Sequence, residues 1–486
     1  MDLGELTADE ALAGTEISDL SYSSRDVTEG GLFFCVPGFA VDGHEYAPDA
    51  VNNGAAALVC ERPLELGVPE FVVDDVRAAM PLLARRFFGD PSAELDVIGI
   101  TGTNGKTTIG YLVRQILEGV GRPCGLLGTV AWIIAGRETP AERTTPEAID
   151  LARALRAMAD SGEQACAIEV SSHALELGRV DEVAFSAAVF TNLTQDHLDF
   201  HETMEDYFEA KRVLFASSPG FSIVNLDDHW GRRLSEEFDC VTYSAQGREG
   251  ADFIARDVEF DATGSRFTVV CTDPQIELPA KVALPGLFNV ANALAALATV
   301  ITLGTEPLAA TQALAGASGA PGRFEPVVAG QDFGVFVDYA HTPDSIENVL
   351  LAARELPHER VISIVGAGGD RDRTKRPLMG AAAAAGSDVV YVTSDNPRSE
   401  DPAAIIDEVL VGARSAAETS GARVEYEIDR RSAIEQATAE ARAGDIVFVF
   451  GKGHEQGQEF AGGRKIPFDD ATVVRESLAG RTAPAS

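Results

Sequence analysis

Val97-Ile-Gly-Ile-Thr-Gly-Thr-Asn-Gly-Lys-Thr-Thr108 is the stretch from which the fold can be read. Val97–Thr101 is a short apolar, β-branched run, the pattern of a buried strand. Glycines then punctuate the chain, and residues 109–119, IGYLVRQILEG, carry apolar side chains at helical spacing. Strand, glycine loop and helix in that order begin a parallel α/β unit. Such a loop turns backbone N–H groups towards phosphate oxygens, and the helix start adds its partial positive charge. Gly102, Thr103, Asn104, Gly105, Thr107 and Thr108 would form the cradle. Lys106 would reach the β- and γ-phosphates, with the Thr107 hydroxyl on Mg2+. The spacing departs from the common GxxxxGK pattern, since position 100 is Ile and the first glycine is Gly102. A phosphate loop alone leaves a switch, a kinase, a motor and a ligase all open.

Three blocks extend outward from this loop. The first, residues 1–90, is small and mixed, with a strand at Leu32–Val36, a Pro37-Gly38 turn and a strand at Ala55–Cys60; GDPSAELD then reads as a linker. The second, residues 91–322, adds buried-strand candidates at Ala165–Val170 and Ala187–Thr191. Residues 252–284 alternate instead, with DATG and DP turns, which predicts a small antiparallel meander attached to the parallel sheet. The third, residues 323–486, alternates strands at Val335–Tyr339, Val361–Val365, Val389–Thr393 and Ile446–Phe450 with helices, the pattern of a doubly wound, Rossmann-like domain. The run Ala381–Ala385 is low in complexity but falls in a predicted helix. The expected class is therefore α/β with three domains, as a chain of 486 residues requires more than one core.

Composition narrows the functional classes. Lys plus Arg is 39 against 76 Asp plus Glu, a net charge of −37. Such a surface repels nucleic acid and anionic membranes, and a dense carboxylate surface also suits a high-salt cytoplasm. The N-terminal MDLGELTADE has no basic-then-apolar signal pattern, and no apolar run is long enough to span a bilayer. Cys35, Cys60, Cys124, Cys166, Cys240 and Cys271 are scattered without a CxxC pair, against a disulfide framework or a structural zinc. A cytoplasmic monomer is the expectation. Only six cations are lysine, at positions 106, 211, 281, 375, 452 and 465. Lys106 and Lys452 both fall in glycine-rich segments, where a compact amine is not replaced by a guanidinium.

Further motifs follow the loop in order: Glu169-Val-Ser-Ser-His173, Thr191-Asn-Leu-Thr-Gln-Asp-His197, Asn289 in PGLFNVANALAA, Arg323 in PGRFE and Asp338-Tyr-Ala-His341. With TGTNGKTT, this series resembles the Mur ligase family across nearly the whole chain. Glu169 ends an apolar strand, where α/β sheets place ligand groups, and its carboxylate suits Mg2+, with the His197 imidazole completing a second metal position. His197 and His201 are four residues apart, but no third ligand accompanies them, against zinc. The resemblance implies an ATP- and Mg2+-dependent ligase. It places Asn289, Arg323 and Asp338 on adenine, phosphate and ribose, Arg323 reaching the γ-phosphate when domains close. It also makes Lys211 a lysine carbamylated by CO2, whose carbamate holds a second Mg2+. Cationic neighbours that disfavour the protonated amine make this chemically reasonable.

Within the family, the first and last domains carry the substrate choice. Ser24-Arg25, Leu32-Phe-Phe and Asp42-Gly43-His44 resemble a uridine-nucleotide domain, and Ser24, Thr144, Thr145, Ser171 and Arg179 match UDP-substrate contacts. Leu177 departs from the pattern, since a polar residue often stands there. Asp395-Asn396-Pro397-Arg398 follows the strand VVYVTS; an arginine there can grip a carboxylate with two parallel bonds. Arg371 in GAGGDRD and Gly451 and Glu455 in GKGHE complete a set that resembles a meso-diaminopimelate site, Glu455 pairing with the distal ammonium. The implied reaction joins that amine to the D-glutamate carboxylate of UDP-N-acetylmuramoyl-L-alanyl-D-glutamate through an acyl phosphate, a step of peptidoglycan precursor synthesis. Addition of L-lysine is the nearest alternative, but it leaves Arg398 facing no carboxylate. A folylpolyglutamate-type ligase gives no reason for DNPR beside the UDP features. A nucleotide-dependent switch leaves Glu169, His197 and the third domain unexplained.

Overall fold

Residues 1–38, 41–194, 200–273 and 275–482 are described by the computed structural model. The strand expected at Val97–Thr101 runs Asp96–Thr101 and is buried from its second residue on. Its parallel neighbours are Ala165–Glu169 and Phe185–Phe190, with Ile100 opposite Glu169 and Thr101 opposite Phe190. This register brings three C-terminal strand ends level, the edge at which open α/β sheets bind ligands. Cys124–Leu127 and Phe221–Asn225 extend the parallel pairing outward, and Ala131–Ile134 with Arg137–Pro140 adds an antiparallel edge. Val97, Ile168 and Phe190 pack with Leu155 and Met158 of the helix Ala148–Asp160, and with Phe208 and Phe215 of the helix Met204–Ala216.

The N-terminal region forms a four-stranded parallel sheet from Asp19–Ser21, Gly31–Phe34, Ala55–Cys60 and Glu70–Val72. GDPSAELD is packed rather than free: Ser92 is buried, and its Oγ accepts a hydrogen bond from Ala184 N at 3.1 Å.

The alternating segment 252–284 forms the predicted meander. Phe253–Asp261, Gly264–Cys271 and Ile276–Val282 pair antiparallel, and Tyr243 and Ser244 pair in parallel with Phe253 and Ile254.

The C-terminal sheet has the order Glu325–Pro326, Gly334–Asp338, Ile446–Phe450, Val361–Val365, Val389–Val392, Arg423–Tyr426, parallel except for the first strand. Alternate residues of each strand enter two separate cores, because successive side chains point to opposite faces. Val361, Val390, Phe448 and Phe450 pack with Ile346, Met379 and Val409 on one face. Ile362, Tyr391, Val447 and Val449 pack with Ile434, Ala437 and Val474 on the other. Helices on both faces make this the doubly wound domain expected from the sequence. The alanine run lies in the helix Lys375–Gly386, where Ala383 and Ala384 are buried.

The fold is thus α/β with three regions as expected. The chain forms two compact units, Met1–Lys106 with Val120–Thr242 and Ala298–Thr305, and Thr107–Gly119 with Tyr243–Leu297 and Glu306–Ser486. No helix among the described residues is long and apolar enough to cross a membrane.

Candidate active site

In the first unit the phosphate loop leaves the strand at Thr101. Gly102 has φ +139°, and a Cβ there would collide with Thr191 Oγ1. Only glycine permits that backbone and that approach. Thr191–Thr194 clamps the loop from outside: Thr191 Oγ1 donates to Asn104 O at 2.7 Å, Asn192 Oδ1 accepts from Asn104 N at 3.0 Å, and Asn192 O accepts from Thr103 N at 2.8 Å. Lys106 Nζ donates to Gly102 O at 2.9 Å and Thr103 O at 2.8 Å, which holds the ammonium over the loop. The helix Lys106–Gly119 starts at that lysine and belongs from Thr107 on to the second unit, with Thr107 and Thr108 buried in its first turn.

Lys211, from the helix Met204–Ala216, is 1% exposed, and its Nζ donates to Gly102 O at 2.9 Å while standing 4.5 Å from the Tyr207 ring centroid. Glu169, at the end of its strand, is also buried. Its Oε1 accepts from Thr129 N at 2.8 Å and its Oε2 from Thr129 Oγ1 at 3.1 Å, which fixes the carboxylate plane. His197 lies outside the described residues. His201 is buried, hydrogen-bonded to Ser172 Oγ at 2.9 Å and stacked on Tyr207.

The expected UDP-substrate residues Thr144, Thr145, Ser171 and Arg179 form one polar network. Thr144 Oγ1 bonds Thr129 Oγ1 at 3.1 Å, and Thr145 Oγ1 donates to Glu169 O at 2.7 Å and accepts from Ser171 N at 3.1 Å. Arg179 donates to Thr145 O at 3.3 Å and pairs with Glu147 at 2.9 Å, where Arg143 and Arg77 also converge. Burial pulls the Arg179 guanidinium below its ordinary value, opposed by Glu147. Ser24 follows the strand Asp19–Ser21, its carbonyl bonded by Asn53 Nδ2 at 2.8 Å.

The second unit holds a cavity of about 360 Å3 at the C-terminal ends of its parallel strands. Tyr339, Gly366, Asp395 and Gly451, which follow four different strands, meet there, with Arg371, Arg398, Asn396 and Glu455. Six of the seven residues expected to bind the amino acid therefore line one cavity; Pro397 is buried and stands outside the lining. Arg398 has φ +50°, a conformation costing a non-glycine residue about 1–2 kcal/mol. Its N–H donates to Glu459 O at 3.0 Å, which helps hold the strained turn. Its Nε meets Glu459 Oε2 at 3.2 Å and its Nη1 donates to Gly369 O at 2.8 Å. The Nη1–Nη2 edge retains donors for a carboxylate. Burial pushes the Asp395 carboxyl up, opposed by Arg430 and Lys452. Burial also pushes Glu455 up, but Lys452 and Asn396 together outweigh it and hold the carboxyl below its usual range.

Asn289, Arg323 and Asp338 lie in the same unit. Asn289 is buried at the start of the helix Leu287–Thr302 and donates to Pro285 O at 2.9 Å. Asp338 ends its strand and accepts from Phe324 N at 2.7 Å and Ala340 N at 2.8 Å. Its burial raises the carboxyl, opposed by Arg323. Arg323 stacks over Tyr339 at 5.0 Å.

Three family signatures match this chain: the Mur ligase middle domain over residues 100–300, the Mur ligase glutamate ligase domain over 322–453, and the Mur ligase family catalytic domain over 16–87. The UDP-N-acetylmuramoyl-L-alanyl-D-glutamate--2,6-diaminopimelate ligase of Geobacillus thermodenitrificans is 45% identical over 476 residues, 96% of either chain. The chain belongs to the Mur ligase family. A relative of the same name from Streptomyces coelicolor is 46% identical, over 95% of this chain and 92% of its own. A solved structure of a ligase of that name aligns with a TM-score of 0.74 and 33% identity over 99% of both chains.

Sequence reasoning on this Mur ligase missed the groups that act through others. Thr129 anchors Glu169 without any motif to mark it. Glu147 collects three arginines, and its only sequence signal is the four-residue spacing from Arg143. Tyr339, His341, Lys375 and Arg376 also line the cavity. Arg376 is buried and bonded to Glu400 and Glu408, bracing the cavity wall.

Proposed function

We propose that this Mur ligase uses ATP to join meso-2,6-diaminopimelate to the D-glutamate side chain of UDP-N-acetylmuramoyl-L-alanyl-D-glutamate. The observation that carries the reading is the charge pattern of the C-terminal cavity: Arg371 and Arg398 with Glu455 on one lining of about 360 Å3. A diamino diacid presents carboxylates and an ammonium to match, whereas L-lysine gives Arg398 no distal carboxylate. Relatives at 45% and 46% identity bear the corresponding name.

In the proposed reaction the γ-phosphoryl group of ATP passes to a carboxylate oxygen of D-glutamate, giving ADP and an acyl phosphate. The neutral amine attacks the carbonyl carbon, loses a proton, and phosphate leaves from the tetrahedral intermediate. The loop Gly102–Thr108 binds the phosphates, and Lys106 and Arg323 stabilise charge on the transferring group. Asn289 and Asp338 bind adenine and ribose. Ser24, Thr144, Thr145, Ser171 and Arg179 hold the UDP substrate. Asp395, Asn396, Pro397 and Gly451 shape the amino-acid site.

Mg2+ takes oxygen ligands and keeps water and phosphate in its shell. Among the described residues no group of three or more His, Cys, Asp or Glu side chains is arranged to hold a metal. The anchored Glu169 carboxylate offers Mg2+ an oxygen ligand. By the family pattern the ion would be held by Glu169 and the Thr107 hydroxyl with phosphate oxygens, and a second by His197 and carbamylated Lys211. Bound there, Mg2+ supplies neutralisation of developing phosphate charge. A carbamate at Lys211 would keep one N–H, a donor still available for Gly102 O. The domains are residues 1–90 for the UDP substrate, 91–322 for ATP and 323–486 for the amino acid, in a cytoplasmic monomer that binds no nucleic acid.

Purified protein with the UDP-dipeptide, ATP and Mg2+ is offered either diaminopimelate or L-lysine. Amide product with diaminopimelate and stoichiometric ADP is expected. Faster product formation with L-lysine overturns the substrate, and ATP hydrolysis without amide overturns the reaction.

A further inference from the structure

Lys452 stands behind the C-terminal cavity without lining it: its side chain is 0% exposed. Its Nζ donates to Asn396 Oδ1 at 2.9 Å and to Glu455 Oε2 at 2.9 Å. Asn396 Nδ2 donates to the same Glu455 oxygen at 2.8 Å, closing a triangle. Glu455 Oε2 therefore receives two donors, and Oε1 is the oxygen left to meet a ligand. Asn396 Oδ1 also accepts from Glu459 N at 2.9 Å, so the asparagine amide is held from both ends. Although Asn396 lines the cavity, most of its bonding capacity is spent inside the protein.

Core packing does not explain a lysine here. Enclosing an ammonium costs several kcal/mol unless its partners are well placed, and a methionine fills nearly the same space without that cost. The chain also avoids lysine, with six among its 39 cations. A guanidinium is bulkier and planar, and it would not fit the point contact that a compact ammonium makes with two oxygens. The Gly451–Gly453 turn, with φ +112° and +52° at its two glycines, carries Lys452 between strand end and cavity.

We propose that Lys452 is a positioning residue: it fixes Glu455 so that Oε1 meets the distal ammonium of the amino-acid substrate, and so contributes to the choice of a diamino substrate. This rests on the amide-forming reaction proposed above. The role is one of orientation, since Lys452 touches the substrate only through Glu455 and Asn396.

The test is a double-mutant cycle read as KM for diaminopimelate. Lys452→Met is expected to raise that KM about tenfold, the scale of a lost charged hydrogen bond, with KM for ATP within about twofold. In a Glu455→Gln background the same substitution is expected to change KM for diaminopimelate by less than about twofold, because the group it orients is already altered. Lys452→Gln, which keeps a donor but not the charge, is the second variant and is expected to behave as Lys452→Met does. Equal effects in both backgrounds, an unchanged KM, or failure of both variants to fold assigns Lys452 to the core alone and overturns the role. Absence of amide product from the unsubstituted chain overturns the reaction itself, and this inference with it.

Discussion

Lys106 and Lys211 both place their ammonium on Gly102 O, and Lys452 places its own on Asn396 and Glu455. A side chain that makes such point contacts in a confined space is poorly replaced by arginine, which gives lysine scarcity a structural meaning. Lys211→Ala removes both the bond to Gly102 and the site of the proposed carbamate. Turnover should fall about a hundredfold or more, measured as ADP release; turnover within tenfold of the unsubstituted chain excludes the carbamate role. At the far cavity, Arg398→Ala relaxes the positive-φ residue little, since alanine meets the same backbone penalty. Its effect should fall on substrate: KM for diaminopimelate rises about ten- to hundredfold, while KM for ATP stays within twofold. A parallel rise in both would place Arg398 in general architecture. Lys106, Lys452 and Arg398 were legible in the sequence because each sits beside a glycine or proline turn that follows an apolar strand, whereas Lys211 lies inside a helix and was marked only by the family resemblance. Thr129 was not legible, because its role appears only when Glu169, 40 residues on, is brought beside it.

Among elements, the strands were the readable part, because a fully buried strand is a continuous apolar run bounded by turn residues. Their ends shifted by a residue or two: Val389–Thr393 is Val389–Val392, and Ala187–Thr191 is Phe185–Phe190. The period marks the interior of a strand, whereas its ends are set by what the neighbouring strand bonds. Charged pairs between elements were not readable at all. Arg430 begins one helix and Asp470 begins another, and their side chains meet at 2.7 Å with no exposure on either. Arg430 also donates to Phe450 O at 2.8 Å and Ser394 O at 3.4 Å, the carbonyls just before GKGHE and DNPR. One guanidinium thus ties two helix starts to two strand ends below the cavity. Arg430→Met leaves Asp470 enclosed without its cation, a change that costs about 3–5 kcal/mol. Urea unfolding should show that loss as a lower midpoint, and the double substitution Arg430→Met with Asp470→Leu should recover part of it. A loss below about 1 kcal/mol, typical of exposed pairs, would contradict the buried clamp.

At the scale of the whole molecule, a net charge of −37 sets carboxylates against one another over the entire surface. Many of the arginines are already paired, as Arg376 is with Glu400 and Glu408, and Arg423 with Glu440. Added salt acts on both populations in opposite senses. It weakens exposed arginine–carboxylate pairs, each worth under about 1 kcal/mol, and it screens repulsion among the carboxylates left without a cation. Raising ionic strength from 0.1 to 1 M shortens the screening length from about 10 to 3 Å. Repulsion acts between many charges at longer range, so its relief should exceed the loss from the contact pairs, which are only a few ångströms across. The Tm measured by calorimetry is therefore expected to rise by several degrees over that range of KCl, a few kcal/mol spread over so large a chain. Sucrose, which carries no charge, separates screening from general exclusion effects: the rise should appear in KCl at ionic strengths where equal osmolarity of sucrose has little effect. A fall in Tm with KCl would mean that the paired arginines, and not the unpaired carboxylates, govern how this Mur ligase responds to salt.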